Sequence, residues 1–261
     1  MDDRDWEVPS VANRSTDSSG QQAAQGTPGH SHQAVLTVLP ASGATKGVVL
    51  VLHGGKSRSR EPVEARHLSP ARMIPFARQL HRAGGRSGLA VWSLRNSVRG
   101  WNGPDMSPLR DARWALAQIT EKHPGVPIYL LGHSMGGLTA VCAADHPQVE
   151  AVVALAPWLS PETPATGVAG RKVLIVHGTV DRWTSAAQSL AFARRASRSA
   201  ASMQYVTLNG AGHFMLRKFR LWQGLATGFV LSAFNESTRA GAPVPRSYAQ
   251  LLPESAVQVT L

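Results

Sequence analysis

Between residues 34 and 236, short apolar runs alternate with longer stretches whose apolar residues recur at helical spacing. Four of the runs are apolar at nearly every position, namely 48–52, 128–131, 150–155 and 172–176. A strand of that kind is buried on both faces, which is typical of a parallel sheet covered by helices. The pattern therefore predicts an α/β domain with a doubly wound, mostly parallel sheet and helices on both faces.

The same pattern places the individual elements. Strands are predicted within 32–39, 47–55, 88–96, 127–137, 149–158, 172–181 and 203–213. Helices are predicted within 73–84, 107–125, 138–147, 186–197 and 213–234. In the second helix Ser107 is the expected N-cap, with Pro108 at the first helical position.

The two ends of the chain differ from this central domain. Residues 1–33 are rich in Ser, Gln, Gly, Asp and Thr, which predicts a disordered N-terminal tail. Residues 237–261 have weak periodicity and are expected to form a loosely structured C-terminal tail, although Leu251 and Leu252 could dock. The acidic start carries no signal peptide, so we expect a cytoplasmic protein.

Charge is the unusual feature of the composition. The chain has 27 Lys and Arg against 16 Asp and Glu, a formal net charge of +11. Such an excess can indicate a nucleic-acid or membrane-surface partner. Here the basic residues are scattered, with no basic stripe or nucleic-acid-binding motif, and no apolar run approaches the ~20 residues that span a bilayer. We therefore expect neither nucleic-acid binding nor membrane insertion.

The first candidate for chemistry is Gly132-His133-Ser134-Met135-Gly136, directly after the run 128–131. A G-x-S-x-G motif is weak alone, but here a buried strand precedes it and a helix follows, as a nucleophile elbow requires. The glycines leave room for a strained turn that projects Ser134 above the sheet. His133 is expected to point away. The alternative is an ordinary turn in which Ser134 caps the helix.

A serine hydroxyl needs a base, and the base needs an orienting acid. Asp181 follows the strand within 172–181, and His213 follows two glycines after the next strand. The order Ser, Asp, His at successive strand ends is typical of nucleophile-elbow hydrolases. Alternatively, Asp181 caps the helix that begins near Ser185, or His213 only packs at the start of the last helix.

An oxyanion hole needs two backbone N–H donors. We expect one from Met135, the residue after the nucleophile. The second is expected from Gly55 in the turn His53-Gly54-Gly55-Lys56, which could instead be a plain turn after a strand.

Together, GHSMGG, HGG, HGTVDRWT and GAGHF resemble the α/β-hydrolase superfamily, in particular its lipase, esterase and lysophospholipase branches. The resemblance covers residues 34–236. It implies Ser134 as nucleophile, His213 as base, Asp181 as acid, Gly55 and Met135 as oxyanion donors, and an acyl-enzyme mechanism with no cofactor or metal. Two features depart from the family: the N-terminal hairpin is reduced to one clear strand, and 159–171 is too short for a helical cap.

Loops at the same sheet edge carry candidate substrate-binding residues, namely Lys56, Arg95, Trp101, Trp158, Trp183 and Phe214. Arginines and aromatics together suggest an apolar acyl group near a negative charge. Alternatively, Arg95 and Arg99 tie the loops together through hydrogen bonds to carbonyl oxygens.

The sequence therefore predicts a serine hydrolase that cleaves a small-molecule carboxylic ester or thioester. An acyltransferase, an amidase or a perhydrolase would use the same triad. A non-catalytic binding module of the same fold is the alternative from another class. The oligomeric state stays open.

Overall fold

The computed structural model describes residues 33–245, 248 and 258–261. Within them eight strands form one sheet in the order β1-β3-β2-β4-β5-β6-β7-β8. The strands are β1 Val35–Leu39, β2 Gly47–Leu52, β3 Leu89–Arg95, β4 Ile128–His133, β5 Val149–Leu155, β6 Lys172–Gly178, β7 Ser202–Leu208 and β8 Gln258–Thr260. Only β1 runs antiparallel to its neighbour, β3. The predicted doubly wound, mostly parallel sheet is confirmed.

Helices cover both faces of this sheet. They are α1 Leu68–Gly84, α2 Ser107–Lys122, α3 Met135–Ala143, α4 Ala186–Ala196 and α5 Phe219–Thr238. One apolar core lies between the sheet and α2, α3 and α4, and a second lies between the sheet and α1 and α5. Every residue of β2 is buried, as a central strand with helices on both sides requires. The carboxyl ends of the parallel strands therefore meet at one edge.

Two helix starts differ from the sequence prediction. Ser107 is the first residue of α2, and its cap is Met106, which has a left-handed φ of 43°. The last helix begins at Phe219 rather than at 213, because Met215 and Lys218 also have positive φ, 59° and 57°. A helix cannot pass through such residues. The segment that follows His213 is consequently a loop, which leaves it free to face the sheet edge.

The described part of the C-terminal segment is more ordered than the loosely structured tail we expected. The amide of Asn235 binds both backbone polar groups of Ala242, at 2.7 and 2.8 Å. Tyr248 packs where Gly228 leaves room on α5. Strand β8 pairs with β7 and covers what would otherwise be an open sheet edge. The tail predicted for 1–33 lies, apart from residue 33, outside the described residues, as do Leu251 and Leu252.

In the described part of the chain, no helix is both long and apolar enough to cross a membrane.

Candidate active site

Ser134 lies in a sharp turn between β4 and α3. Its backbone has φ 57° and ψ −119°, a conformation that costs a non-glycine residue about 1–3 kcal/mol. A Cβ on Gly132 would lie 2.0 Å from the carbonyl oxygen of Gly136, and a Cβ on Gly136 would lie 2.3 Å from that of Leu52. Only glycine fits at either position. The strained turn aims the Ser134 hydroxyl away from the sheet.

The structure brings Ser134, His213 and Asp181 into one hydrogen-bonded row. Nε2 of His213 lies 3.0 Å from Oγ of Ser134, and its Nδ1 lies 2.8 Å from Oδ2 of Asp181. A carboxylate only accepts hydrogen bonds, so Nδ1 carries the imidazole proton and Nε2 presents a lone pair to the serine hydroxyl. The arrangement can therefore take the proton of Ser134 Oγ.

Asp181 is held as a carboxylate from several sides. Its Oδ1 accepts hydrogen bonds from the backbone N–H groups of Trp183 and Thr184, at 2.8 and 2.9 Å. Burial raises the pKa of Asp181, but hydrogen bonds from His177 and His213 outweigh it and hold the pKa well below its ordinary value. Helix α4 is capped by Ser185 instead, so capping does not account for Asp181.

A second imidazole contacts the same carboxylate. Nε2 of the fully buried His177 lies 3.3 Å from Oδ2 of Asp181, and its Nδ1 lies 3.0 Å from Oγ of Ser189. If the Ser189 hydroxyl donates to Nδ1, the proton is left on Nε2, where it faces the carboxylate. Sequence reasoning treated His177 as part of a strand-end turn. Its spacing of four residues from Asp181 was the available signal.

His133 also differs from its expected role. Its ring lies 4.9 Å from that of His213, and its Nε2 lies 2.9 Å from the His213 carbonyl oxygen. Burial, followed by the neighbouring His213, lowers the pKa of His133 to about 3. The neutral ring donates its Nε2–H to that carbonyl. This hydrogen bond connects the loop that carries His213 to the turn that carries Ser134.

Met135 and the turn Gly54-Gly55 lie beside Ser134. Met135 is the first residue of α3, so its N–H has no partner within the helix. A Cβ on Gly54 would lie 3.3 Å from Cβ of Ser134, so this turn passes close to the nucleophile. Nδ1 of His53 lies 2.6 Å from the carbonyl oxygen of Gly54. In a planar trans peptide this turns the Gly55 N–H to the opposite side from His53.

Five of the six residues expected to bind substrate differ in how far their side chains are exposed. Trp183 and Phe214 are 41% and 39% exposed, and their rings lie 6.3 and 5.4 Å from that of His213. Lys56 is exposed in the turn after β2. Trp101 is fully buried and Trp158 is 4% exposed, and both pack in the core against the sheet. The role of these two tryptophans in substrate binding stays a prediction, and the backbone N–H of Trp158 binds the carbonyl oxygen of Ser134 at 3.1 Å.

The arginines of the loops after β2 and β3 are engaged with protein partners. Arg95 donates to the carbonyl oxygen of Val63 at 2.5 Å, which matches the alternative in which it ties the loops together. Arg99 forms an ion pair with Glu61 at 2.7 Å, and Arg60 forms one with Asp105 at 2.7 Å. The hydrogen bond of Arg95 supports the structural alternative, and its substrate-binding role stays a prediction.

The described parts of the chain contain no cluster of three or more His, Cys, Asp or Glu side chains that could hold an ion.

Part of the chain is similar in sequence to a known protein family. The family model described as serine aminopeptidase, S33, of the Hydrolase_4 type, matches residues 43–172. That range contains the turn 53–56 and the turn at Ser134 but ends at the start of β6, before Asp181 and His213. No curated protein matches the chain significantly.

Solved structures match over most of the chain. An α/β serine hydrolase homologue from Coxiella burnetii is 18% identical, with a TM-score of 0.57, and the match covers 77% of this chain and 93% of that one. Est1E from Butyrivibrio proteoclasticus, solved with ferulic acid bound, is 16% identical with a TM-score of 0.58, over 77% and 95%. A serine hydrolase without a lid from Xanthomonas campestris is 16% identical with a TM-score of 0.53, over 81% and 91%. At these identities the likeness extends to the fold.

Proposed function

We propose that this chain is an α/β hydrolase that cleaves a small-molecule carboxylic ester or thioester with Ser134 as nucleophile. The observation that carries the proposal is the unbroken row from Ser134 Oγ through His213 to Asp181, with contacts of 3.0 and 2.8 Å. The row stands at the edge where the parallel strands end, and the elbow that presents Ser134 is strained. Strain of this kind is a feature of functional sites.

In the first half of the reaction Ser134 Oγ attacks the substrate carbonyl carbon while Nε2 of His213 takes its proton. The carboxylate of Asp181 stabilises the imidazolium that forms and keeps Nδ1 protonated. The tetrahedral intermediate then expels the alcohol or thiol, which receives the proton from Nε2 of His213. The acyl group remains on Ser134 as an ester.

The negative charge that develops on the carbonyl oxygen needs donors already in place. We propose the N–H groups of Gly55 and Met135 for this role. The contact between His53 and the Gly54 carbonyl supports it, because it fixes the direction of the Gly55 N–H. Removing one such donor from a hydrolase typically costs about 10²–10³ in kcat.

In the second half a water molecule attacks the acyl-serine, with His213 again as base, and the acid is released. The short segment 159–171 supports access to the site, because it contains only the 3₁₀ helix Ala165–Val168 and is too short for a helical cap.

A fluorophosphonate probe tests the nucleophile directly. We expect the native protein to be labelled on Ser134 and Ser134→Ala not to be labelled. p-Nitrophenyl esters of graded acyl length should be hydrolysed by the native protein, with the rate falling to background in Ser134→Ala. A native protein that neither takes the label nor hydrolyses any ester would overturn the proposal and favour a non-catalytic binding module.

The same assay separates the other uses of the triad. Cleavage of p-nitroanilides faster than matched esters would indicate an amidase, and transfer to added alcohols in preference to water would indicate an acyltransferase. Acceleration by hydrogen peroxide with release of peracid would indicate a perhydrolase. We propose a cytoplasmic enzyme that binds no nucleic acid, and retention on DNA at physiological salt would contradict this.

A further inference from the structure

One arginine near the proposed site differs from those in the loops after β2 and β3. Arg72 on α1 is partly buried, and its guanidinium lies over the ring of Phe214. The guanidinium carbon lies 4.7 Å from the centre of that ring. No described carboxylate or carbonyl oxygen accepts a hydrogen bond from Arg72. Its five donors are therefore available, although burial already lowers its pKa.

Phe214 links Arg72 to the proposed base. The Phe214 ring lies 5.4 Å from the ring of His213 and 5.5 Å from that of Trp183. Trp183 in turn stacks over His213, at 6.3 Å and an angle of 28°. Trp183 and Phe214 are both exposed beside His213, so a molecule at the active site can contact their rings.

The position beside His213 indicates which half of an ester this surface meets. His213 must deliver its proton to the oxygen that leaves, so the alcohol half lies against its imidazole. The exposed groups beside His213 are Trp183 and Phe214, and the guanidinium of Arg72 lies over the Phe214 ring. An apolar or aromatic alcohol would pack against the two rings, and a negative group on it would reach the arginine.

The charge of that group follows from the surroundings. Arg72 lies near His133, the buried neighbour of His213, and contributes with burial and His213 to the low pKa of His133. One guanidinium neutralises one negative charge and binds a carboxylate through two parallel N–H donors.

We infer that Arg72, Phe214 and Trp183 form a recognition site for the alcohol half of the substrate, selecting a carboxylate attached to an apolar or aromatic group. The inference rests on the proposed function, because it assigns the leaving-group side of the same site.

Two chromogenic esters of equal shape test it. One is 3-carboxy-4-nitrophenyl butyrate, and the other is its neutral methyl carboxylate. We expect Arg72→Gln to lower kcat/KM for the charged ester about 10- to 100-fold more than for the neutral ester, as loss of a charge-assisted hydrogen bond implies. Comparing the variant with the native protein cancels the intrinsic reactivity of the two phenols.

Arg78→Gln is the matched control, because Arg78 is exposed on the same helix and should leave both rates unchanged. Equal loss on both esters in Arg72→Gln would overturn the inference and assign Arg72 a packing role against Phe214. A second pair, p-nitrophenyl hydrogen adipate and methyl p-nitrophenyl adipate, carries the charge on the acyl half. A charge preference that Arg72→Gln abolishes only in this pair would overturn the assignment to the alcohol half.

Failure of the proposed function gives a different result. In that case neither butyrate shows turnover that Ser134→Ala abolishes. Ser134-dependent hydrolysis of both butyrates with an unchanged charge preference in Arg72→Gln would instead overturn the recognition site alone.

Discussion

Two pairs of loops border the same sheet edge and use their polar residues in opposite ways. The arginine loops, residues 56–67 and 96–106, follow β2 and β3, and their charges pair with each other, as in Arg60–Asp105 and Arg99–Glu61. The acid–base loops, residues 179–185 and 209–218, follow β6 and β7. They turn Asp181 and His213 inward and leave aromatic rings exposed.

The difference also appears in the backbone. The arginine loops are joined by a ladder of hydrogen bonds, including Lys56 N–H to Arg99 O at 2.8 Å and Trp101 N–H to Lys56 O at 2.9 Å. These hydrogen bonds hold the backbone of the turn 53–56 at Lys56. A high density of charge therefore does not by itself mark a binding surface. The guanidinium of Arg72, which lies over the Phe214 ring beside His213 and has no ion-pair partner among the described residues, is the better candidate for contact with substrate.

The largest expected effect comes from the acid–base loops, in Asp181→Asn. An amide nitrogen facing Nδ1 would favour the wrong tautomer of His213, with the proton on Nε2 where Ser134 needs a base. We expect kcat for p-nitrophenyl butyrate to fall about 10³–10⁴-fold. Circular dichroism should show a folded protein.

Asp105→Asn is the matched control in the arginine loops, because it breaks only an exposed ion pair. Its kcat should change less than about twofold. A kcat in Asp181→Asn above a tenth of the native value would contradict the proposed role of the carboxylate.

The second prediction concerns Gly55 in the turn 53–56, which packs against the arginine loops. In Gly55→Ala the new Cβ would lie 2.3 Å from Cε of Met135 and 2.4 Å from the carbonyl oxygen of Arg99. The methionine can move but the backbone cannot do so cheaply, so the turn must shift. We expect kcat to fall about 10²–10³-fold, as when one oxyanion donor is lost. Stopped-flow measurement of p-nitrophenolate release would follow the acylation step.

Gly43→Ala provides the control, since nothing lies within 4 Å of its added Cβ. If Gly55→Ala acylates at the native rate, the Gly55 N–H is not an oxyanion donor.

A third prediction concerns acid. Burial lowers the pKa of His53 to about 4 and that of His133 to about 3. Between about pH 4 and pH 6.5 the unfolded chain binds protons that these folded imidazoles do not, so the free energy of unfolding falls as pH is lowered through that window. His53 alone accounts for a loss on the order of 3 kcal/mol.

Denaturant titrations at pH 7.0, 6.0, 5.0 and 4.5 would measure this loss. His53→Gln should be less stable at pH 7 and should depend less steeply on pH than the native protein. Parallel curves for the two proteins would show that His53 is not the group that takes up the proton.

The sequence predicts most of this arrangement where burial leaves a pattern. Strands buried on both faces are apolar throughout, and the chain order then puts Ser134, Asp181 and His213 at one edge. Features that depend on side-chain direction leave no such pattern, as with the contact of His177 with Asp181 and the burial of Trp101. A second kind of feature depends on pairing with a distant segment. Strand β8 is of the second, because Gln-Val-Thr carries no apolar run and is a strand only through pairing with β7.

The smallest effect is expected where the charges already have partners. Arg99 is 32% exposed and its partner Glu61 is 65% exposed, so water weakens their attraction. A double-mutant cycle with Arg99→Ala and Glu61→Ala should give a coupling of about 0.2–1 kcal/mol in the free energy of unfolding. The backbone carbonyl of Arg99, which holds Lys56, is unchanged by the substitution. Hydrolysis of the charged and neutral butyrates should therefore fall by the same small factor, unlike in Arg72→Gln. A selective loss on the charged ester would mean that the arginine loops bind substrate after all, and the contrast between the two loop pairs would fail.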